Sequence, residues 1–370
     1  MVKIFHTGDN HLDSSFFRLS PLKREEERER QRQLFKKMIR YAKDKNYDLI
    51  FICGDLFDSP EISPETENAV IESLGSFEGP VIISPGNHDP YNFVSLYSSG
   101  KLPENVYIFN SPELQAFDFE ELGLQVCGYA FMNDTYTAPP LKNVTLPSFN
   151  GTRLLCAHGE LGVSISKYAP IQPSELEALG FSYAALGHIH KGTEIGGEGN
   201  IRAAYCGFPE GRAFDEQGDG GAISVTLNGT DAKLEKLIFS EKRYLLDTVD
   251  VSGANSDNSL AQTLEKYLSD NGYGKETALR LTLSGTTDAD FCADLSLTEK
   301  LLSPRLAQLE LIDLTVPDFD ARALENDHTL RGEVYRTLKP LLESDSPEKR
   351  KTAYEALKVA LLAIEGRRII

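Results

Sequence analysis

Leu49-Ile50-Phe51-Ile52-Cys53-Gly54-Asp55-Leu56-Phe57-Asp58 is the stretch whose reading decides the fold. Its first five residues are apolar, partly β-branched and of strand length, and Gly54 breaks the run before the carboxylates of Asp55 and Asp58. A strand that ends on an acidic turn is how an α/β sheet delivers polar side chains to the crevice beyond its carboxyl ends.

The same grammar extends in both directions. Ile4 to Thr7, Val81 to Ser84, Gln125 to Tyr129, Arg153 to Ala157 and Tyr183 to Leu186 are further strand-length apolar runs. Between the first two strands, Pro21 to Lys45 carries Leu34, Phe35, Met38, Ile39 and Ala42 at helical spacing beneath a charged surface. Strand, helix and strand in succession predict an α/β sandwich, a β-sandwich flanked by helices. Thr135 to Gly151, with Pro139, Pro140 and Pro147, reads as a long irregular loop, and Phe208 to Gly221 as a second. After about residue 241 the pattern changes to strand (Tyr244 to Val251), helix (Ser259 to Asp270), strand (Ala278 to Ser284), helix (Thr298 to Gln308) and strand (Glu310 to Val316). Thr329 to Leu342 and Pro347 to Glu365 follow as helices, the second with Ala353, Leu357, Leu361 and Ile364 on one face. The predicted division is 1–240 for a large domain, 241–325 for a smaller α/β accessory domain and 326–370 for a terminal helical segment.

Composition narrows the class. A chain of 370 residues exceeds what one core usually organises. No apolar run reaches the length of a bilayer span, and Met1-Val2-Lys3-Ile4-Phe5-His6 lacks the architecture of a signal peptide, so a cytoplasmic protein away from membranes is expected. Cys53, Cys127, Cys156, Cys206 and Cys292 are scattered, without a CxxC pair, which suits small buried side chains in a reducing compartment. The formal net charge of −18 repels polyanions, so any nucleic-acid contact must come from local positive charge. One candidate exists: ten Lys or Arg against four Glu from Arg18 to Lys43, to be weighed against a solvated helix face held by its own ion pairs.

Five polar motifs follow those apolar runs: Asp9-Asn10-His11, Gly54-Asp55-Leu56-Phe57-Asp58, Gly86-Asn87-His88-Asp89, His158-Gly159 and Gly187-His188-Ile189-His190. If the strand ends share a crevice, Asp9, His11, Asp55, Asn87, His158, His188 and His190 converge there as metal ligands. Two carboxylates, an amide oxygen and four imidazoles are too many donors for one ion but suit two ions sharing a carboxylate. The site then keeps positive charge, attracts phosphate and acidifies a water. Donors of this kind without thiolate suit manganese, iron or zinc. His88, beside Asn87, is placed to protonate a leaving oxygen or to stabilise charge on a phosphoryl group, with Asp89 as a candidate for orienting it. His6 reads as a hydrogen-bonded core or supporting residue, His328 as solvated, and Asp58 as either a turn cap or a support for Asp55.

At these residues the chain resembles the calcineurin-like metallophosphoesterase superfamily, whose pattern is DxH, GDxxD, GNH(D/E), H and GHxH. His6 to Leu12, Phe181 to Lys191, and Tyr205-Cys206-Gly207-Phe208-Pro209 with Arg212 further resemble the SbcD/YhaO-type group of DNA-repair exonucleases. That resemblance implies one metal held by Asp9, His11, Asp55 and His190, a second held by Asp55, Asn87, His158 and His188, and His88 as the catalytic histidine. It also implies manganese-dependent hydrolysis of DNA ends, a DNA-positioning accessory domain, an SbcC-like coiled-coil ATPase partner and a homodimer. The acidic balance departs from a DNA-binding surface. It leaves open a metallophosphoesterase acting on nucleotides or another small phosphorylated molecule, while a non-catalytic scaffold would require ligands to have been lost.

Overall fold

The computed structural model describes residues 1–17, 19–196, 202–288, 291–364 and 366; Arg18 and Glu365, named above, lie outside them. The chain divides into two compact units, Met1–Arg243 and Tyr244–Ile370.

In the first unit the chain runs β1 (Val2–Thr7), α1 (Pro21–Asp44), β2 (Leu49–Ile52), α2 (Pro64–Gly75), β3 (Val81–Ile83), β4 (Val106–Ile108), β5 (Gln115–Phe119) and β6 (Leu124–Gly128). It continues with β7 (Thr152–His158), β8 (Glu160–Leu161), β9 (Pro170–Ile171), α3 (Pro173–Ala178), β10 (Phe181–Gly187), β11 (Thr193–Gly196), β12 (Arg202–Tyr205), β13 (Gly221–Asn228) and β14 (Asp231–Ile238). Two six-stranded sheets result, in the orders β14-β13-β1-β2-β3-β4 and β11-β12-β10-β7-β6-β5. Strands β1 to β4 are mutually parallel, as are β6, β7, β10 and β12, so the motif-bearing ends within each sheet share one edge.

The alternation of side chains across a strand builds the layers. Ile4, Leu49, Phe51 and Cys53 face the second sheet and meet Leu154, Cys156, Tyr183 and Ala185. Phe5, Ile50 and Ile52 face the other way, onto Leu34, Phe35, Met38, Ile39 and Ala42 of α1 and Val70 and Leu74 of α2. Each such side chain contributes roughly 1.5–3 kcal/mol on burial. The outer face of the second sheet is covered by Leu176 and Leu179 around α3 and by Leu141, Val144 and Leu146 of the irregular loop. This is the α/β sandwich expected from the sequence. Cys53, Cys127, Cys156 and Cys206 are buried thiols, whereas Cys292 is exposed.

The second unit takes up β15 (Arg243–Asp250) from its second residue and contains α4 (Asp257–Asp270), β16 (Thr277–Ser284), β17 (Thr286–Asp288), α5 (Leu295–Leu302), β18 (Gln308–Asp313), β19 (Val316–Asp318), α6 (Ala321–Glu325), α7 (Leu330–Leu342) and α8 (Pro347–Ile364). A three-stranded sheet in the order β15-β16-β18 carries α4 through Leu260, Leu264 and Leu268. Two details differ from expectation. The helix predicted over Thr298 to Gln308 ends at Leu302 and becomes a single tighter turn, Ser303–Arg305, where Pro304 lacks a donor N–H. The strand predicted over Glu310 to Val316 is split after Asp313, whose carboxylate accepts the N–H of Thr315 and turns the chain. Ala353, Leu357 and Leu361 of α8 pack with Leu324, Tyr335 and Leu342, so that stripe is occupied by its own unit. His328 is exposed in the link between α6 and α7.

Candidate metal centre

The turns after β1 and β2 are stitched together by backbone hydrogen bonds from Asp9 to Gly54, His11 to Asp55 and Leu12 to Leu56, at 2.9–3.0 Å. Asp9, His11 and Asp55 take left-handed backbone angles, with φ of 47°, 44° and 49°, and His188 lies at 101°. Side chains in these conformations cost energy that the surrounding structure must offset. Gly86 must be glycine, since a Cβ there would lie 2.1 Å from Asp55 Oδ1.

The seven proposed ligands are brought together from five turns. His11 Nε2 lies 3.1 Å from His190 Nε2 and 3.7 Å from Asp55 Oδ2. His158 Nε2 lies 3.4 Å from the same Asp55 oxygen and 3.0 Å from Asn87 Oδ1. Asp9 accepts the backbone N–H of His188 at 3.0 Å, and the His188 ring is 5.1 Å from that of His158. Two groups of donors, Asp9 with His11 and His190, and Asp9 with Asp55 and His158, each lie within 4.8 Å of one another.

Every imidazole has one ring nitrogen engaged by an acceptor. His11 Nδ1 faces Asp58 Oδ1 at 3.2 Å, and His158 Nδ1 faces the Cys53 carbonyl at 3.0 Å. His190 Nδ1 faces Glu216 Oε1 at 2.8 Å, and His188 Nε2 faces Glu160 Oε1 at 3.3 Å. For His11, His158 and His190 the opposite nitrogen, Nε2, is the one that meets the other donors of the centre, the arrangement by which supporting acceptors orient metal-bound histidines. This tests the fit of divalent cations directly. In the neutral tautomers set by those partners, the Nε2 atoms of His11 and His190, and His158 Nε2 with Asn87 Oδ1, are lone-pair donors about 3 Å apart that a cation between them would satisfy. The donor set fits two ions: Asp9, His11 and His190 could hold one, and Asn87, His158 and His188 the other, with Asp55 within reach of both.

The electrostatics divide the donors, and burial raises the Asp9 carboxyl well above the ordinary carboxylate range. Burial holds His11 and His158 below the usual histidine range, and burial with the neighbouring His158 lowers His188 to about 4, so all three are in the neutral form that ligates. Burial works against ionising Asp55, yet the surrounding His158, His11 and His88 hold its carboxyl below the ordinary value. Burial likewise opposes charge on His190, but its hydrogen bond to Glu216 outweighs it and raises the pKa.

His88 is exposed at the lip, its ring 4.7 Å from that of His11, and its backbone N–H donates to Asp55 Oδ1 at 2.9 Å. Its Nδ1 faces the Asp58 carbonyl at 3.2 Å. Asp89, the candidate for orienting it, does something else: its carboxylate accepts backbone N–H groups of Asp55, Phe57 and Gly86. Burial and the Asp55 charge push its pKa up to about 7. Asp58 supports His11 rather than Asp55. His6 is a fully buried support, bonded to the Tyr183 hydroxyl and the Leu186 carbonyl. Glu160 and Glu216 were missed from sequence; their only signal was position, one just after His158-Gly159 and one four residues after Arg212.

The basic run is largely engaged. Arg30, Arg32, Lys37 and Lys43 form ion pairs with Glu210, Glu25 and Glu29, Glu241 and Glu78 respectively, while Arg24 and Arg28 donate to backbone carbonyls. Among the described residues, no helix is long and apolar enough to cross a membrane.

The chain is similar to the uncharacterized metallophosphoesterase YhaO of Bacillus subtilis, 28% identical over 77% of this chain and 72% of that protein. It is 23% identical to the DNA double-strand break repair protein Mre11 of Aeropyrum pernix, over 76% of this chain and 71% of that one. It is 24% identical to the SbcD subunit of the nuclease SbcCD of Escherichia coli K12, over 64% and 67%. Among solved structures, a dimetal phosphatase from Danio rerio superposes with a TM-score of 0.40 at 12% identity, covering 63% of this chain and 98% of its own. The model of the calcineurin-like phosphoesterase family matches residues 2–192, across all five motif turns, and the chain belongs to that family of metal-dependent phosphoester hydrolases.

Proposed function

We propose that this protein is a two-metal phosphodiesterase that hydrolyses DNA, the nuclease subunit of a complex with an SbcC-like coiled-coil ATPase. The observation that carries the reading is the convergence of a complete Asp, Asn and His donor set beside an exposed histidine. When bound, two divalent ions, with manganese the first candidate and iron or zinc the others, supply the charge that holds a phosphodiester and acidifies a water. Asp55 Oδ2 lies 3.7 Å from His11 Nε2 and 3.4 Å from His158 Nε2 and would serve each ion. With Nδ1 directed at the Asp58 carbonyl, His88 keeps Nε2 for the substrate and delivers a proton to the departing 3′ oxygen. The name of the Mre11 relative, a DNA double-strand break repair protein, supports DNA as substrate, and that of the SbcCD subunit supports nuclease activity. On this reading residues 1–240 are the nuclease, 241–325 an accessory domain that positions DNA, and 326–370 a helical extension. The protein works in the cytoplasm and forms a homodimer.

A second reading, a phosphodiesterase for nucleotides or other small phosphorylated molecules, is favoured by the net charge of −18 and by the ion pairs that occupy the basic face of α1. Digestion of end-labelled duplex and single-stranded DNA with added manganese, beside a generic phosphodiester, separates the two. Metal-dependent DNA shortening that is lost in Asp55→Ala is the expected result. Cleavage of the generic ester alone, with and without an ATPase partner, would favour the small substrate. Full activity in Asp55→Ala would refute both.

A further inference from the structure

The four imidazoles of the centre are held in two different ways. His158 rests on a main-chain carbonyl and His188 on Glu160. His11 and His190 rest on two carboxylates that share a single cation. Arg212 Nη1 donates at 3.0 Å to Asp58 Oδ1, the same oxygen that faces His11 Nδ1. On its other edge, Arg212 Nε lies 3.1 Å from both oxygens of Glu216, and Nη2 donates to Oε1, the oxygen that faces His190 Nδ1. The Arg212 backbone N–H closes the turn onto Glu216 Oε2 at 2.8 Å.

A guanidinium is planar, with donors in a fixed fork, so the separation of Asp58 and Glu216 is set by a rigid object. Those carboxylates fix ring orientation in turn, and the two Nε2 atoms meet 3.1 Å apart. The turn itself is anchored. Glu210 accepts Arg30 of α1 and the backbone N–H groups of Glu241 and Lys242, and Arg212 Nη1 also lies 3.4 Å from Ser14 Oγ. Glu216 is nearly inaccessible, with 4% exposure, so its contacts to Arg212 and His190 are made away from competing solvent.

Resting on the two-metal reading, we propose that Arg212 is a positioning residue for one metal site only. Through Asp58 and Glu216 it orients His11 and His190 together, and so sets the affinity of the site they form with Asp9. The site around Asn87, His158 and His188 is independent of it. Lysine cannot replace it, because a point charge cannot hold both carboxylates in one plane.

The test is a manganese titration of metal-free wild type, Arg212→Lys and Glu216→Gln, followed by calorimetry and by the paramagnetic signal of unbound ion, with melting of each metal-free chain alongside. Wild type is expected to take two ions per chain. In Arg212→Lys one site weakens by roughly 10–100-fold while the other keeps its affinity. Glu216→Gln reproduces the selective loss and carries the test if the lysine variant does not fold. Fewer than two ions on wild type would sink the two-metal reading itself. Two ions of unchanged affinity on the variants, or both sites weakening in step with a lower metal-free melting temperature, would overturn the role given to Arg212.

Discussion

The Tyr97 hydroxyl donates a 2.6 Å hydrogen bond to Asp89 Oδ2, and this buried pair holds the turn of the second motif against that of the third. Asp89, 1% exposed, accepts Gly86 N–H at 2.8 Å, Phe57 N–H at 3.1 Å and Asp55 N–H at 3.2 Å. Tyr97→Phe leaves one acceptor position of a buried carboxylate unfilled and should destabilise the fold by about 1–3 kcal/mol. Asp89→Asn should cost more, because its amide nitrogen faces a backbone N–H whichever way it turns, those of Gly86 and Asp55 at Oδ1 or that of Phe57 at Oδ2. Denaturant midpoints measure both; an Asn variant as stable as wild type would show that the carboxylate is not what joins the turns.

Gly86 offers a second, sterically clean test. A methyl group there meets Asp55 Oδ1 at 2.1 Å and Asp55 N at 2.5 Å, and the backbone atom cannot swing aside. Gly86→Ala should therefore displace the carboxylate shared by both sites and weaken both ions together, unlike the selective loss expected at Arg212. The readout is manganese stoichiometry, and retention of two ions at wild-type affinity would contradict the packing described.

His6 gives the fold an acid sensitivity of its own. Burial lowers its pKa to about 3, against a backbone hydrogen bond to Leu186 that raises it. The unfolded chain accepts this proton near the ordinary value of about 6.5, so below that pH protons favour unfolding. The stabilisation is present in full above about 6.5 and declines as pH falls toward 3, by about 1.4 kcal/mol per pH unit for one proton. His6→Gln removes that slope even if it lowers stability throughout. Identical pH slopes for wild type and variant between pH 6 and 4 would mean the ring is not held neutral.

Much of the centre was legible because its chemistry sits beside the chain's own punctuation. Each apolar run alternates between the sandwich interior and a covered outer face, α1 and α2 on the first sheet, α3 and the irregular loop on the second, and each is followed by a polar turn, so Asp9, Asp55, Asn87, His158 and His188 could be found by reading strands first. What stayed hidden depends on distant pairing. Glu216 meets His190 across a turn with no periodic signal, and Asp89 sits next to His88 while its carboxylate faces the backbone behind it. The basic residues of α1 have the same lesson, since Arg30 and Lys37 are answered by Glu210 and Glu241 about two hundred positions later. Strands β13 and β14 also escaped notice, although β13 supplies the antiparallel neighbour of β1.

The left-handed backbone at Asp9, His11 and Asp55 bears on how this protein would respond to selection. Glycine adopts that conformation without penalty, so at these positions the backbone and the function favour different residues. A library screened only for heat resistance would enrich replacements that relax these turns and would discard the chemistry first. A screen that also demands bound metal would find its stabilising changes elsewhere in the sandwich.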